Sequence, residues 1–315
     1  MTTPSLVLGA PLAVRLADWG VIRAKGEDAA SFLNGQLTQE TLRLEPGDAR
    51  LAGYCSPKGR LLASFVMWRG APDEILLACS ADLLAPTLKR LSMYVLRAKC
   101  KLSDASSELA LWGVALPAVD AAGAAIPDAA GRTAELAGGT AVRLADAGGC
   151  ARLLWAAPAD AAPPWATSPQ PEAWNWLEVQ SGVPRIVAKT VEAFVPQMVN
   201  LELVGGVNFQ KGCYPGQEIV ARSQYRGTVK RRMFLAEGDA AADVGAEVFA
   251  PADPSQPAGQ VVLAASLARP EGARHAALVE MKRALTDAGE LRVGAADGPA
   301  LRLAPLPYEI PAEPA

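Results

Sequence analysis

The chain has 315 residues, half of them hydrophobic and a fifth charged, with a formal net charge of −3. That length allows two ordinary domains or three small ones, and the composition is that of a globular chain rather than a disordered one. The charge argues against a surface built throughout for a polyanion. The five widely spaced cysteines and single histidine, His275, argue against a disulfide framework or a resident zinc or iron–sulfur site, so a reducing cytoplasm is the expected setting.

In chain order, the apolar stretch Leu6–Ala13 has no Lys or Arg before it and is broken by Pro11, so no signal peptide is expected. Val21–Ala24 reads as a strand. Glu27–Leu37 reads as a helix, with Ala29, Phe32, Leu33 and Leu37 on one face. Leu51–Cys55 and Arg60–Trp68 flank the turn Ser56-Pro57-Lys58-Gly59 and predict a hairpin, followed by a strand at Ile75–Cys79. Leu84, Leu88, Leu91 and Val95 mark a second helix, and Ala98–Leu102 a further strand. The expected fold class is α+β, a ferredoxin-like core with a small C-terminal β-barrel.

Leu109–Leu116 and Ala151–Ala156 look like strands, with an Ala-, Gly- and Pro-rich stretch at 117–168 around the second. The tract Leu109–Pro127 is too interrupted, by Pro117 and Asp120, for a membrane span. Pro171–Ser181 predicts a helix stopped by Gly182, with Pro184 beyond. After residue 228, the segments Lys230–Ala236, Glu247–Ala250, Gly259–Leu267, Ala276–Met281 and Leu301–Leu306 read as short strands of a barrel. Residues 1–110, 111–228 and 229–315 are the expected three parts.

The chemistry centres on Asn208–Glu218. Pro215 suits the first turn of a helix, which places Cys213 at or just before a helix N-terminus, where free N–H groups favour a thiolate. Lys211 adds positive charge. Cys55, Cys79, Cys100 and Cys150 lie in or beside apolar strand candidates and read as small buried hydrophobes. Residues 208–234 hold six basic side chains against one acid, Glu218, which suggests an anionic ligand or partner. For Lys230, Arg231 and Arg232 a solvated edge strand explains the charge equally well. Arg222, on the motif helix, is a candidate to face a pocket.

Lys211-Gly212-Cys213-Tyr214-Pro215-Gly216-Gln217-Glu218 matches in full the K-G-C-[YF]-x-G-Q-E signature of the YgfZ-type proteins, folate-binding relatives of the glycine-cleavage T-protein (aminomethyltransferase), which the chain resembles. Leu177–Pro184 is similar to the family's L-E-x-x-x-G-[IV]-P. Phe194–Leu201 is similar to its F-x-P-Q-x-x-N-L, Phe32–Thr38 to F-L-x-G-Q-x-T, and Tyr94–Lys99 to Y-x-x-R-x-K. The likeness is weakest in 117–168 and in the C-terminal barrel.

The resemblance implies a tetrahydrofolate pocket in the N-terminal part, lined by two tryptophans at positions matching Trp19 and Trp174. The implied cofactor-binding set is Trp19, Trp174, Glu178, Gln197, Asn200, Gln217, Glu218, Arg222 and Tyr225, with no stably bound metal. Indoles sandwich a flat ring, and cations meet a glutamate tail. Trp68, Trp112 and Trp155 read instead as core, and Trp176 falls on the opposite side of its helix from Trp174.

The resemblance also implies an accessory role in assembling or repairing iron–sulfur clusters of client enzymes, including tRNA-thiomethylating ones. Cys213 would be the essential thiol, with Lys211 beside it. Expected partners are a folate, iron–sulfur client or assembly proteins and tRNA, without a membrane. One rival is a tetrahydrofolate-dependent one-carbon transferase. It needs an acid near the folate nitrogen, and T-proteins supply acids in a hairpin whose counterpart here, Lys58–Phe65, has no carboxylate. Glu178 is the remaining acid. A second rival is a tRNA-binding module, for which the basic segment speaks and the overall acidity does not.

Overall fold

The computed structural model describes residues 9–117, 126–225, 229–287 and 289–312. The start of the Leu6–Ala13 stretch, the middle of the Leu109–Pro127 tract and Arg226 therefore lie outside the described residues.

The elements run β1 (Leu12–Arg15), β2 (Trp19–Lys25), α1 (Ala29–Asn34), β3 (Ala49–Cys55), β4 (Leu61–Arg69), β5 (Glu74–Ser80), α2 (Ala81–Ser92), β6 (Lys101–Asp104) and β7 (Leu109–Pro117). They continue with β8 (Thr133–Leu136), β9 (Gly139–Ala147), β10 (Cys150–Pro158), β11 (Ala166–Ser168), α3 (Glu172–Gln180) and α4 (Gln217–Tyr225). The C-terminal strands are β12 (Arg231–Gly238), β13 (Glu247–Phe249), β14 (Gly259–Leu267), β15 (Arg274–Lys282), β16 (Leu291–Val293) and β17 (Ala300–Ala304).

These strands make three sheets. The first has the order β3-β4-β5-β2-β6, the second β11-β1-β7-β10-β9-β8, and β12-β15-β14-β13-β16-β17 close into a barrel. The α+β class and the C-terminal barrel are as expected from the sequence. Helix α1 is shorter than its apolar periodicity suggests, and the strand expected at Ala98–Leu102 instead begins at Lys101, where it pairs with Lys25. The Ala-rich stretch 117–168 is more ordered than its composition suggests, since β9 and β10 pair there over most of their length.

The first two sheets pack face to face through Val21, Val66, Trp68, Ala78, Leu111, Leu154 and Trp174. β10 is buried along nearly its whole length, an apolar run interrupted only by Arg152. Trp68 and Trp155 are fully buried core residues, as expected. The barrel leans on α3, which turns Trp176 toward it beneath Arg274, 4.9 Å from the ring centroid. Trp174 faces the other way, into the seam between the sheets.

Gly113 on β7 lies under Trp174. A Cβ there would come within 2.3 Å of the indole. Gly113→Ala is expected to destabilise the protein by about 1–3 kcal/mol through overpacking, read as a lower thermal midpoint. An unchanged midpoint would show that the Trp174 layer yields freely.

Candidate functional site

A cavity of about 530 Å³ opens between the first two sheets, and its walls come from several distant segments. β3 contributes Arg50, β4 contributes Ser64 and Phe65, β9 contributes Arg143 and Asp146, and β10 contributes Arg152. Trp19, at the start of β2, and Glu178, on α3, line it as well, together with Arg185 from the following loop and Tyr308 from the C-terminal tail.

Glu178 reaches this wall because α3 ends nearby. Gly182, just beyond it, takes φ +66°, the left-handed conformation that closes a helix C-terminus and sends the chain back along the cavity. Arg185 then returns to Glu178, its Nε donating to Oε1 at 2.8 Å and its Nη2 to Oε2 at 3.2 Å. The same Nη2 donates to Asp18 at 2.8 Å, and the guanidinium lies 5.0 Å from the Trp19 ring centroid. Burial lowers the Arg185 pKa, but the Glu178 and Asp18 charges and hydrogen bonds outweigh it, and the net shift is upward. Trp19 is thus a preset flat face beside a buried carboxylate.

Arg152 differs. It is 3% exposed, makes no ion pair among the described residues, and its Nε has no hydrogen-bond partner. Its guanidinium rests 4.7 Å from the Trp174 ring centroid, and its Nη1 reaches only the Ala145 carbonyl, at 3.4 Å. Burial pulls its pKa down to about 10, against the opposing charges of Glu178 and Asp146, so it remains a cation at neutral pH. A buried cation with an unfilled donor on a cavity wall suits an acceptor-rich ligand. The Trp19 Nε1 is likewise without a partner.

The tail closes one side. The Tyr308 hydroxyl donates to the Gly182 carbonyl at 2.7 Å and accepts from Asn200 Nδ2 at 3.2 Å.

The Lys211–Glu218 motif lies outside the cavity wall. Lys211 is 7% exposed; its Nζ donates to the carbonyls of Asn34, at 2.6 Å, and Gly212, at 3.1 Å, and sits 4.9 Å from the Tyr214 ring centroid. Burial lowers the Lys211 pKa, against the charges of Glu40 and Cys213. Gly216, at φ +80°, presses against the turn of the β3–β4 hairpin: a Cβ there would lie 2.4 Å from the Ser56 carbonyl oxygen.

Cys213 is exposed. None of the five cysteines forms a disulfide, and burial raises the thiol pKa of the other four, to about 12 for Cys55 and Cys79. The first residue of α4 is Gln217, so Pro215 and Gly216 form the turn before it. That is a correction to the sequence reading: Cys213 stands four residues ahead of the helix, and a helix dipole acts only over its terminal turn.

Of the residues singled out from the sequence, the structure brings Trp19 and Glu178 together at the cavity. Trp174 stands one layer behind, under Arg152. Gln197 and Asn200 do not reach the wall. Both are fully buried: Gln197 Nε2 donates to the Val220 carbonyl, and Asn200 Nδ2 to the Met233 carbonyl, fastening α4 and the barrel to the core. Gln217, Glu218, Arg222 and Tyr225 lie on α4 away from the cavity. Arg222 is exposed there, and Tyr225 is 70% exposed with its ring edge-on to Phe209.

The basic segment is also less free than its composition suggests. Arg231 pairs with Glu280 and Arg232 with Glu202, so these two charges serve the fold. Arg152, Arg185 and Tyr308 were not legible as site residues. The available signal was Arg152 itself, a lone charge inside the apolar run Ala151–Ala156. Among the described residues, no cluster of three or more His, Cys, Asp or Glu side chains is placed to hold a metal ion, and no helix is long and apolar enough to cross a membrane.

No family model matches the chain. A protein of Edwardsiella ictaluri named tRNA-modifying protein YgfZ is 32% identical over 241 residues, covering 72% of this chain and 71% of that protein. A protein of the same name from Photobacterium profundum is 31% identical over 239 residues, covering 72% and 70%. Among solved structures, glycine cleavage system aminomethyltransferase T from Bartonella henselae aligns with a TM-score of 0.71 at 16% identity, covering 95% of this chain and 86% of that one. At that identity the likeness is one of fold.

Proposed function

The chain belongs to the YgfZ family, and on that footing we propose that it is a reduced-folate-binding accessory protein for iron–sulfur cluster assembly or repair in client enzymes, tRNA-thiomethylating enzymes among them. The observation that carries the folate part is the cavity wall. It combines a buried carboxylate, Glu178, a preset indole, Trp19, and a buried cation with an unfilled donor, Arg152. These groups fit a tetrahydrofolate. Its pterin ring offers a guanidine-like N–H edge to a carboxylate and a flat face to an indole, and its other end carries carboxylates for arginines. The one-carbon unit, where present, belongs to the folate; the chain's residues bind and orient it.

Cys213 is the thiol of this reading, exposed and reachable by a partner protein, with Lys211 locked behind it. Its separation from the cavity wall fits an accessory role in which thiol and folate act at different places. A one-carbon transferase is the weaker reading. The β3–β4 hairpin reaches the cavity with Ser64 and Phe65 but no carboxylate, and the Ser64 hydroxyl accepts the Ile186 amide. A tRNA-binding module loses support from the ion pairs of Arg231 and Arg232.

Complementation with Cys213→Ala tests the assignment. The expected result is loss of iron–sulfur client activity in cells, with tetrahydrofolate affinity of the purified variant unchanged. Full client activity in the variant would overturn the role given to the thiol.

A further inference from the structure

The Tyr94–Lys99 motif does not line the cavity. It follows α2 as a turn pinned at both feet. The Ala98 amide donates to the Val95 carbonyl at 2.8 Å, and the side chains of Val95 and Ala98 pack into the core between the helices and the first sheet. Just beyond, the Lys99 amide donates to Asp28 Oδ2 at 2.7 Å. The corner of the turn is Leu96-Arg97. Leu96 stands there at φ +46°, 86% exposed. A left-handed backbone is strained for leucine, and this side chain gains no burial in return. Met93 and Tyr94, in the turn before it, are exposed as well. Three large apolar side chains thus stand in solvent on an anchored frame.

The same surface is cationic. Residues 83–103 hold five basic side chains, Lys89, Arg90, Arg97, Lys99 and Lys101, and no acid. Lys99 pairs with Glu27. Lys89, Arg97 and Lys101 are exposed and make no ion pair among the described residues. The acids at the border, Glu27 and Asp28, are outnumbered, in a chain whose formal net charge is −3. The charge selects an acidic partner, and the apolar side chains select its class. Met93 and Leu96 are aliphatic and suit an apolar recess, whereas only Tyr94 is of the kind that stacks on bases. Three side chains at one corner make too narrow an apolar face to lie in a bilayer surface.

α1 lies between this surface and the thiol. Arg90 meets the Tyr54 hydroxyl, whose pKa burial raises against the charge and hydrogen bond of Arg90. Tyr54 pairs with Leu37, just past the end of α1, and the carbonyl of Asn34, the last residue of α1, accepts from Lys211, two residues before Cys213. A protein interface of ordinary size, about 800 Å² per partner and so roughly 30 Å across, extends from the turn across α1 toward Cys213.

We propose that the Leu96-Arg97 turn, with Met93 and Tyr94, is a docking surface for an acidic protein partner, whose apolar recess takes Leu96 and whose carboxylates meet Arg97 and the neighbouring lysines. The proposal rests on the accessory-protein reading and gives the partner of that reading a seat separate from the cavity. Charges placed in this way speed association and are screened by salt.

The test uses the full chain in cells whose iron–sulfur client activity depends on it. Leu96→Ser combined with Arg97→Glu is expected to lower that activity at least about fivefold, the size of an interface anchor's contribution, while the purified variant keeps its tetrahydrofolate affinity and thermal midpoint. Leu96→Gly separates docking from folding. Glycine takes a positive φ without strain, so the midpoint should hold or rise while client activity falls. A photo-crosslinking benzoylphenylalanine in place of Met93 identifies the occupant: the expected adduct is to an acidic protein, and it is lost with Arg97→Glu. Full client activity in the double variant would overturn the docking surface. An adduct to RNA or to a second copy of the chain, or binding to phosphatidylglycerol vesicles that the double variant loses, would overturn the partner assigned to it. Undiminished client activity after deletion of the whole chain would instead overturn the accessory reading on which the proposal stands.

Discussion

Arg232→Ala is expected to lower the unfolding free energy by about 3–5 kcal/mol, because it leaves a buried carboxylate without its partner. Arg232 leaves β12 and pairs with Glu202 where the side chains are 6% and 4% exposed. Its Nη1 also donates to the Gln197 carbonyl at 3.0 Å. Replacing both members by apolar residues, Arg232→Met with Glu202→Leu, should recover most of the loss, since the cost lies in the stranded charge.

The pH dependence of that loss has a definite sign. Burial raises the Glu202 pKa, and the charge and hydrogen bond of Arg232 offset this only in part. A carboxyl whose folded pKa lies above its unfolded value contributes stability below the unfolded value and loses it as pH rises through the folded one. Without Arg232 the folded pKa climbs further. The deficit of Arg232→Ala relative to the parent should therefore be largest at neutral pH and shrink on acidification through the carboxylate range. Urea midpoints at pH 7 and at about pH 5 check this. A deficit independent of pH would show that Glu202 finds another partner.

Glu178→Leu should weaken tetrahydrofolate binding by about 10- to 100-fold, the value of hydrogen bonds to a charged acceptor in a buried site. Folding should survive, because Arg185 keeps Asp18 and the Ser80 hydroxyl, to which its Nη1 donates at 3.3 Å. Glu178→Gln, which keeps an acceptor but loses the charge, should fall between. Calorimetric titration reads the affinity and circular dichroism checks the fold. Unchanged affinity in Glu178→Leu would mean that the ligand's N–H edge lies elsewhere.

The sequence carried those parts of the fold that local chemistry determines. Pro171 and Gly182 bound α3 to within a residue or two, the Ser56–Gly59 turn marks the β3–β4 hairpin, and Gly and Pro punctuate the barrel strands. β1, β8, β9 and β11 were not legible. They are short or rich in alanine, glycine and threonine, so hydrophobic alternation is faint, and β1 and β11 are defined by each other across more than 150 residues, as in Leu12 with Ala166. The site divides in the same way. Trp19 and Glu178 stand out by residue type within motifs. Arg152, Arg185 and Tyr308 acquire meaning only when β10, the loop after α3 and the tail converge. Gln197 and Asn200 show the converse: a motif position serves the interior, where an amide side chain can satisfy backbone groups no other element reaches.

β1 also bears on the order in which the molecule is made. It is made ahead of the other described strands, yet its partners are Trp112–Ala115 on β7 and Ala166–Ser168 on β11. The following segment, β2, belongs to the other sheet and finds β5 and β6 much sooner. Synthesis therefore yields a largely paired first sheet with an N-terminal strand waiting for a seat that is complete only after residue 168 emerges. Until then its backbone groups are an open edge, available to chaperones or to neighbouring nascent chains.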